Sequence, residues 1–281
     1  MSKVVVLGTA QDGGVPHAGC KEACCESAWK DVLLHRYPSS IAAVCEESKK
    51  FWIFDATPDI KHQLNILNKY KSNLSGIFLT HAHIGHFAGL TSLGLEIMNL
   101  KGISVYVMPI MEKFLKKSPF IKSLINEGVI KVRSISDKQK ISVGPFLVEP
   151  FNVPHRNELS ETVGYKVSAS MGSIVYLPDI DAWQGWEKKL FSLVEENNYL
   201  FIDGTYFKKN EIKKRNIKEI PHPSIYESMK LLSCLDSISK NKIYFTHFNH
   251  TNSVIHSDPS SGRLVAEKGF NLLKEKKVFK I

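Results

Sequence analysis

The chain has 281 residues, 43% of them hydrophobic and 23% charged, which is the balance of a globular protein and not of a disordered or fibrous one. No apolar run approaches the roughly 20 residues that span a bilayer, so no membrane-spanning helix is expected. The net charge of +9, from 37 basic and 28 acidic residues, suits a small anionic substrate; nucleic acid is the less favoured partner, because the lysines are scattered and Lys208, Lys209, Lys213, Lys214 and Arg215 read as one solvated loop.

The apolar start, Val4–Leu7, is too short for a secretory segment and reads as a first strand, so a cytoplasmic location is expected. Strands follow at Ile41–Cys45 and Phe51–Phe54, then a helix over Pro58–Tyr70 and a strand at Gly76–Leu79. The apolar spacing predicts a helix over Gly85–Asn99. Strands come next at Val105–Met108, Phe146–Val153, Gly164–Val167 and Ile174–Leu177, on β-branched and aromatic runs bounded by turn residues. A helix over Trp183–Asn197 leads to a strand at Tyr199–Ile202. The remaining elements are a helix over Ser224–Asp236, a strand at Ile243–Thr246 and a helix over Ser260–Gly269. No linker or short-period repeat interrupts the series. An α/β fold of two packed sheets flanked by helices, in one domain over residues 1–281, accounts for it.

Polar residues stand just past several strands: His81, His155, Asp179, Asp203 and His247. In such a sandwich, active groups sit on the loops at strand ends. The run Thr80-His81-Ala82-His83-Ile84-Gly85-His86 places three histidines in six positions after an apolar strand. On an extended segment His81 and His83 point to one side, and His86 turns back toward them from a helix start. Converging imidazoles suit zinc or iron.

The five cysteines are odd in number, which argues against a disulfide framework. Cys20, Cys24 and Cys25 crowd together as three thiolates of a metal site. Cys45 and Cys234 stand in apolar stretches and read as buried thiols. Of the other histidines, His35, His62 and His256 read as ordinary surface or core residues. Asp55 is either the cap of the helix after it or a support for the histidine loop. Trp183 and Trp186 read as packing residues. Arg156, Glu158, Ser160 and Thr162 follow His155, where their position suggests substrate contact. His222 lies between Pro221 and Pro223, before the N-cap Ser224, and reads equally as a proton donor or as a surface-loop histidine.

The histidine run resembles the H-x-H-x-D-H signature of the metallo-β-lactamase superfamily, with Gly85 where that family usually has aspartate. Val153-Pro154-His155, Tyr176-Leu177-Pro178-Asp179 and Phe245-Thr246-His247 resemble its later motifs, in order. Leu7-Gly8-Thr9-Ala10-Gln11-Asp12-Gly13-Gly14, Asp203-Gly204-Thr205-Tyr206 and His247-Phe248-Asn249-His250-Thr251-Asn252 are most similar to the coenzyme PQQ synthesis protein B group. The cysteine cluster, and a histidine three positions after the last active-site one, also resemble cyclic-phosphate phosphodiesterases of phosphonate metabolism.

The resemblance implies the αββα sandwich and two metal positions. His81, His83 and His155 would hold the first; His86 and His247 would hold the second, with Asp179 bridging. Gly85 leaves the second position weaker, supplied instead by Asp12 or Asp181, or empty. His222 resembles the catalytic histidine of tRNase Z and of the phosphodiesterases, with Glu227 as the acidic residue that follows. His250 would complete a structural zinc site with Cys20, Cys24 and Cys25, with His17 as a spare ligand. The implied activity is that of a zinc-dependent hydrolase, with Asp179 and His222 as its catalytic pair, on a phosphodiester or similar small anion; iron and manganese are admissible metals. The alternatives are an iron-dependent oxidative role related to PQQ synthesis and a non-catalytic metal-binding role.

Overall fold

The fold is described from a computed structural model, in which residues 2–211, 221–256 and 260–281 are described. The predicted cluster at Lys213, Lys214 and Arg215 lies outside them. The first half of the chain forms β1 (Ser2–Gly8), α1 (Ala23–Lys30), β2 (Ser40–Cys45), β3 (Lys50–Phe54), α2 (Ile60–Leu67), β4 (Asn73–Phe78), α3 (Ile84–Phe87), β5 (Ile103–Val107), α4 (Pro109–Lys117), α5 (Pro119–Asn126) and β6 (Ile130–Ser134). The second half forms β7 (Ile141–Val143), β8 (Phe146–Asn152), β9 (Val163–Ala169), β10 (Gly172–Leu177), α6 (Glu187–Glu196), β11 (Tyr199–Asp203), α7 (Ile225–Leu231), α8 (Ser237–Asn241), β12 (Ile243–Thr246), α9 (Ser260–Glu267), β13 (Asn271–Leu272) and β14 (Val278–Lys280).

These strands make two seven-stranded mixed sheets, in the orders β14-β1-β2-β3-β4-β5-β6 and β13-β12-β11-β10-β9-β8-β7. Both begin with antiparallel pairs and continue parallel, from β3 through β6 and from β10 through β13. Parallel strands place all their C-terminal ends on one edge, where crevices form. That edge carries the histidines and aspartates.

Each sheet is covered on both faces, so its strands read as continuous apolar runs. In β1, Val4 and Val6 enter the core between the sheets, while Val5 and Leu7 face the helix layer. Between the sheets Phe54 stacks on Phe78, which stacks on Tyr106, and Tyr165 meets both phenylalanines edge-on. The Tyr165 hydroxyl donates to the Leu79 carbonyl at 2.6 Å, tying the second sheet to the residue just before Thr80. A third core, with Leu177, Leu190, Ile202 and Phe245, lies under the helices of the second half.

The expected helix over Gly85–Asn99 breaks up. Only Ile84–Phe87 is α-helical, and Ala88–Leu93 is a 3-10 turn. The amide of Gly89 leaves the helical ladder to donate to the Ala56 carbonyl at 2.8 Å. A Cβ there would stand 2.2 Å from the Thr57 carbonyl oxygen. Gly94 then adopts an extended conformation and ends the segment. Residues 109–143, for which no element is expected, hold α4 and α5, each opened by a proline at its first position, and the edge strands β6 and β7. The Cys234 thiol, expected to be buried, is exposed, whereas Cys45 is buried. Among the described residues no helix is long and apolar enough to cross a membrane.

Candidate metal centre

The histidine loop after β4 is held from behind by Asp55, at the end of β3. One Asp55 carboxylate oxygen accepts the Thr80 backbone N–H at 2.8 Å and the Thr80 hydroxyl at 2.9 Å. The other accepts the Tyr176 hydroxyl at 3.2 Å and lies 2.8 Å from Nδ1 of His86. Asp55 takes this post with a left-handed backbone, φ 67°, which a non-glycine residue adopts at some cost. His247, at the end of β12, does the same with φ 61°. Asp55 therefore supports the loop, and its side chain does not cap α2.

Most of the histidines meet a partner at Nδ1. His81 meets the Thr80 hydroxyl at 2.9 Å, His155 meets Asp181 at 2.8 Å and His247 meets the Thr205 hydroxyl at 3.0 Å. Asp203 lies 2.6 Å from Nδ1 of His222 and accepts the Thr205 hydroxyl at 2.8 Å. An Nδ1 proton committed in this way fixes the tautomer and leaves Nε2 as the free electron-pair donor. His83 is the exception, with its Nδ1 only 3.4 Å from Nε2 of His155.

The free atoms converge. Ligand atoms of His81, His83 and His155 lie within 4.8 Å of one another, as do those of Asp12, His86 and His247, and those of His81, His86 and Asp179. Asp179 lies between the groups, with Oδ2 3.4 Å from Nε2 of both His86 and His247 and Oδ1 3.7 Å from Nε2 of His155. Asp12 Oδ1, His81 Nε2, Asp179 Oδ2 and His247 Nε2 are buried and make no well-formed hydrogen bond. Each such atom costs about 1–3 kcal/mol if left unsatisfied, and nitrogen and carboxylate oxygen donors of this kind suit zinc, iron or manganese. The residues fit a metal.

The electrostatics agree. Burial drives the pKa of His81 and His247 far down and that of His155 to about 2, with neighbouring histidine charge adding to it. These rings are neutral, the form that binds metals. Burial also lifts Asp179 to about 7, helped by the like charges of Asp203 and Asp12 against the pull of His86 and His222. His86 goes the other way. Burial opposes its charge, but Asp55, Asp179 and Asp12 outweigh that and raise its pKa well above the ordinary value. Three carboxylates around one point select for positive charge there.

The second cluster forms where α1 begins. The helical turn at Ala23 brings adjacent Cys24 and Cys25 to one side, with their sulfurs 4.0 Å apart and Cys20 3.8 Å from Cys24. Nδ1 of His250 lies 3.5 Å from both Cys24 and Cys25. Tetrahedral zinc–thiolate bonds of about 2.3 Å imply sulfur separations of about 3.8 Å, so the spacing C-x₃-C-C is accommodated. Burial, with Cys25 and Cys20 beside it, pushes the Cys24 thiol up to about 12. His17 stays outside the set; its ring stacks on His250 at 4.5 Å and its backbone N–H donates to the Cys25 sulfur.

Several expected residues take other posts. Asp181 is the partner of His155 and is not among the ligand atoms that group with His86 and His247. Ser160 accepts the Ala82 N–H at 2.9 Å and so holds the histidine loop from the side. Glu227 caps α7 in a reciprocal arrangement with Ser224 and pairs with Lys209; the acidic partner of His222 is Asp203. Trp183 packs, with its indole N–H donating to Ser228 at 2.8 Å. His256, read as ordinary, backs the His250 carbonyl at 2.8 Å. Asp203 was legible as a polar residue just past a strand, but nothing local showed that it serves both His222 and, through Thr205, His247.

Known proteins share this arrangement of the chain. A model of the beta-lactamase superfamily domain matches residues 52–248. A coenzyme PQQ synthesis protein B of Methylorubrum extorquens is 23% identical over 296 residues, covering 96% of both chains. That of Rhizobium meliloti is 22% identical over 295 residues, covering 96% of this chain and 95% of the relative. The zinc-bound structure of PqqB from Methylobacterium extorquens superposes with a TM-score of 0.82 at 20% identity, over 99% of this chain and 100% of that one. A diphosphatase of the PhnP family gives 0.69 at 21% identity, over 99% and 96%. The short form of human tRNase Z gives 0.57 at 17% identity, over 99% of both. With the domain model spanning well over half of its length, the chain belongs to the beta-lactamase superfamily and has the metallo-β-lactamase fold.

Proposed function

We propose that the protein is a zinc-dependent hydrolase of a phosphodiester or similar small anion, with His222 as the proton donor to the leaving group. His81, His83 and His155 would hold one metal, His86 and His247 a second, with Asp179 between them; Cys20, Cys24, Cys25 and His250 would hold a structural zinc. A metal bound at the histidine centre supplies an activated water at neutral pH and polarises the oxygen under attack.

The observation that carries the reading is the pair His222 and Asp203. His222 is buried, and its ring lies 5.4 Å from that of His155 and 5.8 Å from that of His247. Its Nδ1 proton is committed to Asp203 at 2.6 Å, so Nε2 is the atom that gives up a proton. Burial opposes charge on the ring, but Asp203, Asp179 and Asp181 raise its pKa above the ordinary value. In its protonated form the ring would pass the Nε2 proton to the leaving oxygen as the phosphorus–oxygen bond breaks. The positive net charge and the fold shared with a diphosphatase and a tRNase Z support a phosphate-bearing substrate.

The test is turnover of bis(p-nitrophenyl) phosphate by zinc-loaded protein. His222→Ala is expected to lower kcat by about 100-fold or more, within the range for a lost general acid, with metal content unchanged. Equal turnover by the variant would remove His222 from the mechanism. Protein isolated with iron, consuming oxygen and leaving phosphodiesters intact, would favour the oxidative alternative.

A further inference from the structure

We propose that Asp12 is a metal ligand, the carboxylate that Gly85 does not provide, delivered from the N-terminal loop instead of the histidine loop. This rests on the metal-dependent reading above.

The two residues share one place. A Cβ built on Gly85 would lie 2.3 Å from Oδ1, 2.5 Å from Cα and 2.7 Å from Cβ of Asp12. A side chain at position 85 and the Asp12 side chain cannot both be present. The backbone does not ask for glycine at 85, because Gly85 lies in α3 and is absent from the positive-φ positions. The space is taken because Asp12 fills it.

Asp12 is aimed at the centre. Its Oδ1 is buried without a well-formed hydrogen bond, stands 3.2 Å from Nε2 of His86, and groups with His86 and His247 within 4.8 Å. The loop that presents it is built for the purpose. Gly14 turns back with φ +68° and donates to the Gln11 carbonyl at 2.8 Å. At Gly13 a Cβ would meet the His17 ring at 2.6 Å, so that ring would have to move. On either side the loop is clamped to the segment after β12. The Gln11 N–H donates to Phe248 at 2.9 Å, the Phe248 N–H donates to Thr9 at 2.8 Å, and the Asn249 amide reaches the Gln11 side chain at 2.6 Å. The cysteine cluster, which joins Cys20, Cys24 and Cys25 to His250, ties down the far end of the same loop. Asp12 is thus held between the two clamps.

The experiment is zinc and cobalt titration of wild type, Asp12→Ala, Asp12→Asn and Gly85→Asp. Thiolate charge-transfer bands mark cobalt at the cysteine cluster, and d–d absorption that rises without them reports the histidine centre. Asp12→Ala is expected to weaken one ion of the histidine centre by more than the roughly 10–100-fold typical of a change behind the ligands, while the cysteine bands stay unchanged. Gly85→Asp alone displaces the loop and lowers the melting temperature. Asp12→Asn, which keeps the shape and loses the charge, is expected to weaken the same ion. If Asp12→Ala and Asp12→Asn keep every affinity, Asp12 is not a ligand. Full metal loading in wild type without phosphodiester turnover would sink the proposed reaction and leave this result standing.

Discussion

The carboxylate of Asp203 holds Nδ1 of His222 at 2.6 Å and, through the Thr205 hydroxyl, Nδ1 of His247. One buried aspartate at the end of β11 therefore orients both the proposed donor and a proposed ligand from β12. Its other hydrogen bonds, from the backbone N–H groups of Ile180 and Thr205, lock it between neighbouring strands.

Asp203→Asn tests that arrangement. Asp203 is the largest of the influences that raise the His222 pKa, and burial alone would lower it. A raised pKa keeps the donor protonated to higher pH than an ordinary histidine, and activity falls as pH rises through it. Without the carboxylate charge the pKa drops, so the alkaline limb of the pH–rate profile moves to lower pH and neutral-pH kcat falls by about 100-fold. A purely structural role would scale the whole profile down and leave its limbs in place.

Cys25→Ala addresses the second cluster. Cys25 is fully buried, and its loss leaves two thiolates and an imidazole where structural zinc is usually closed by four ligands. One zinc per chain is expected to be lost. Amide exchange at Gln11 and Phe248 should also quicken, because the clamp between the N-terminal loop and the β12 loop loosens. Unchanged zinc content by elemental analysis would show that the cluster does not hold the ion through this thiol.

Much of the site was legible because each of His81, His155, Asp179 and His247 follows an apolar strand, and strand ends are where the fold exposes polar groups. The crowding of Cys20, Cys24 and Cys25 was legible too; the helical turn that makes adjacent cysteines converge was not. The helix predicted over Gly85–Asn99 failed for a tertiary reason. Its apolar spacing is real, but Gly85 and Gly89 pack against Asp12 and the Thr57 carbonyl, contacts that no local pattern reveals. Pairing of β14 with β1 joins the two ends of the chain, and β13 is two residues long; neither leaves a periodicity to read. The departure at Gly85 pointed to Asp12 or Asp181 for the missing carboxylate, and only space separates the two: Asp181 pairs with His155, whereas Asp12 abuts Gly85.

Tyr165→Phe probes the support behind the histidine loop. The buried hydroxyl donates to the Leu79 carbonyl at 2.6 Å, and deleting it leaves that carbonyl without its side-chain donor. The cost should be about 1–3 kcal/mol, read as a lower denaturant midpoint with an unchanged slope. Because Leu79 immediately precedes Thr80, metal affinity at the histidine centre should fall as well. A stability loss with full affinity would confine the bond to the core.

Glu275 predicts a pH-dependent stability away from the centre. Its carboxylate accepts the Tyr37 N–H at 2.7 Å. Burial lifts its pKa from 4.5 to about 7, with Asp59 adding to the rise and Arg36 and Lys276 opposing it. Between those two values the folded chain holds a proton that the unfolded chain has released, so stability falls as pH rises from about 4.5 to 7. The full effect above pH 7 is on the order of 3 kcal/mol, from about 1.4 kcal/mol per pKa unit. Glu275→Gln keeps an oxygen for the Tyr37 N–H and carries no charge at any pH. The variant should match wild type near pH 4 and be the more stable protein at pH 8, with the gap opening between. Denaturant titrations of both proteins at each pH measure the gap. A constant difference across that range would mean that the Glu275 carboxylate is not carrying the proton, and that its packing alone sets its contribution.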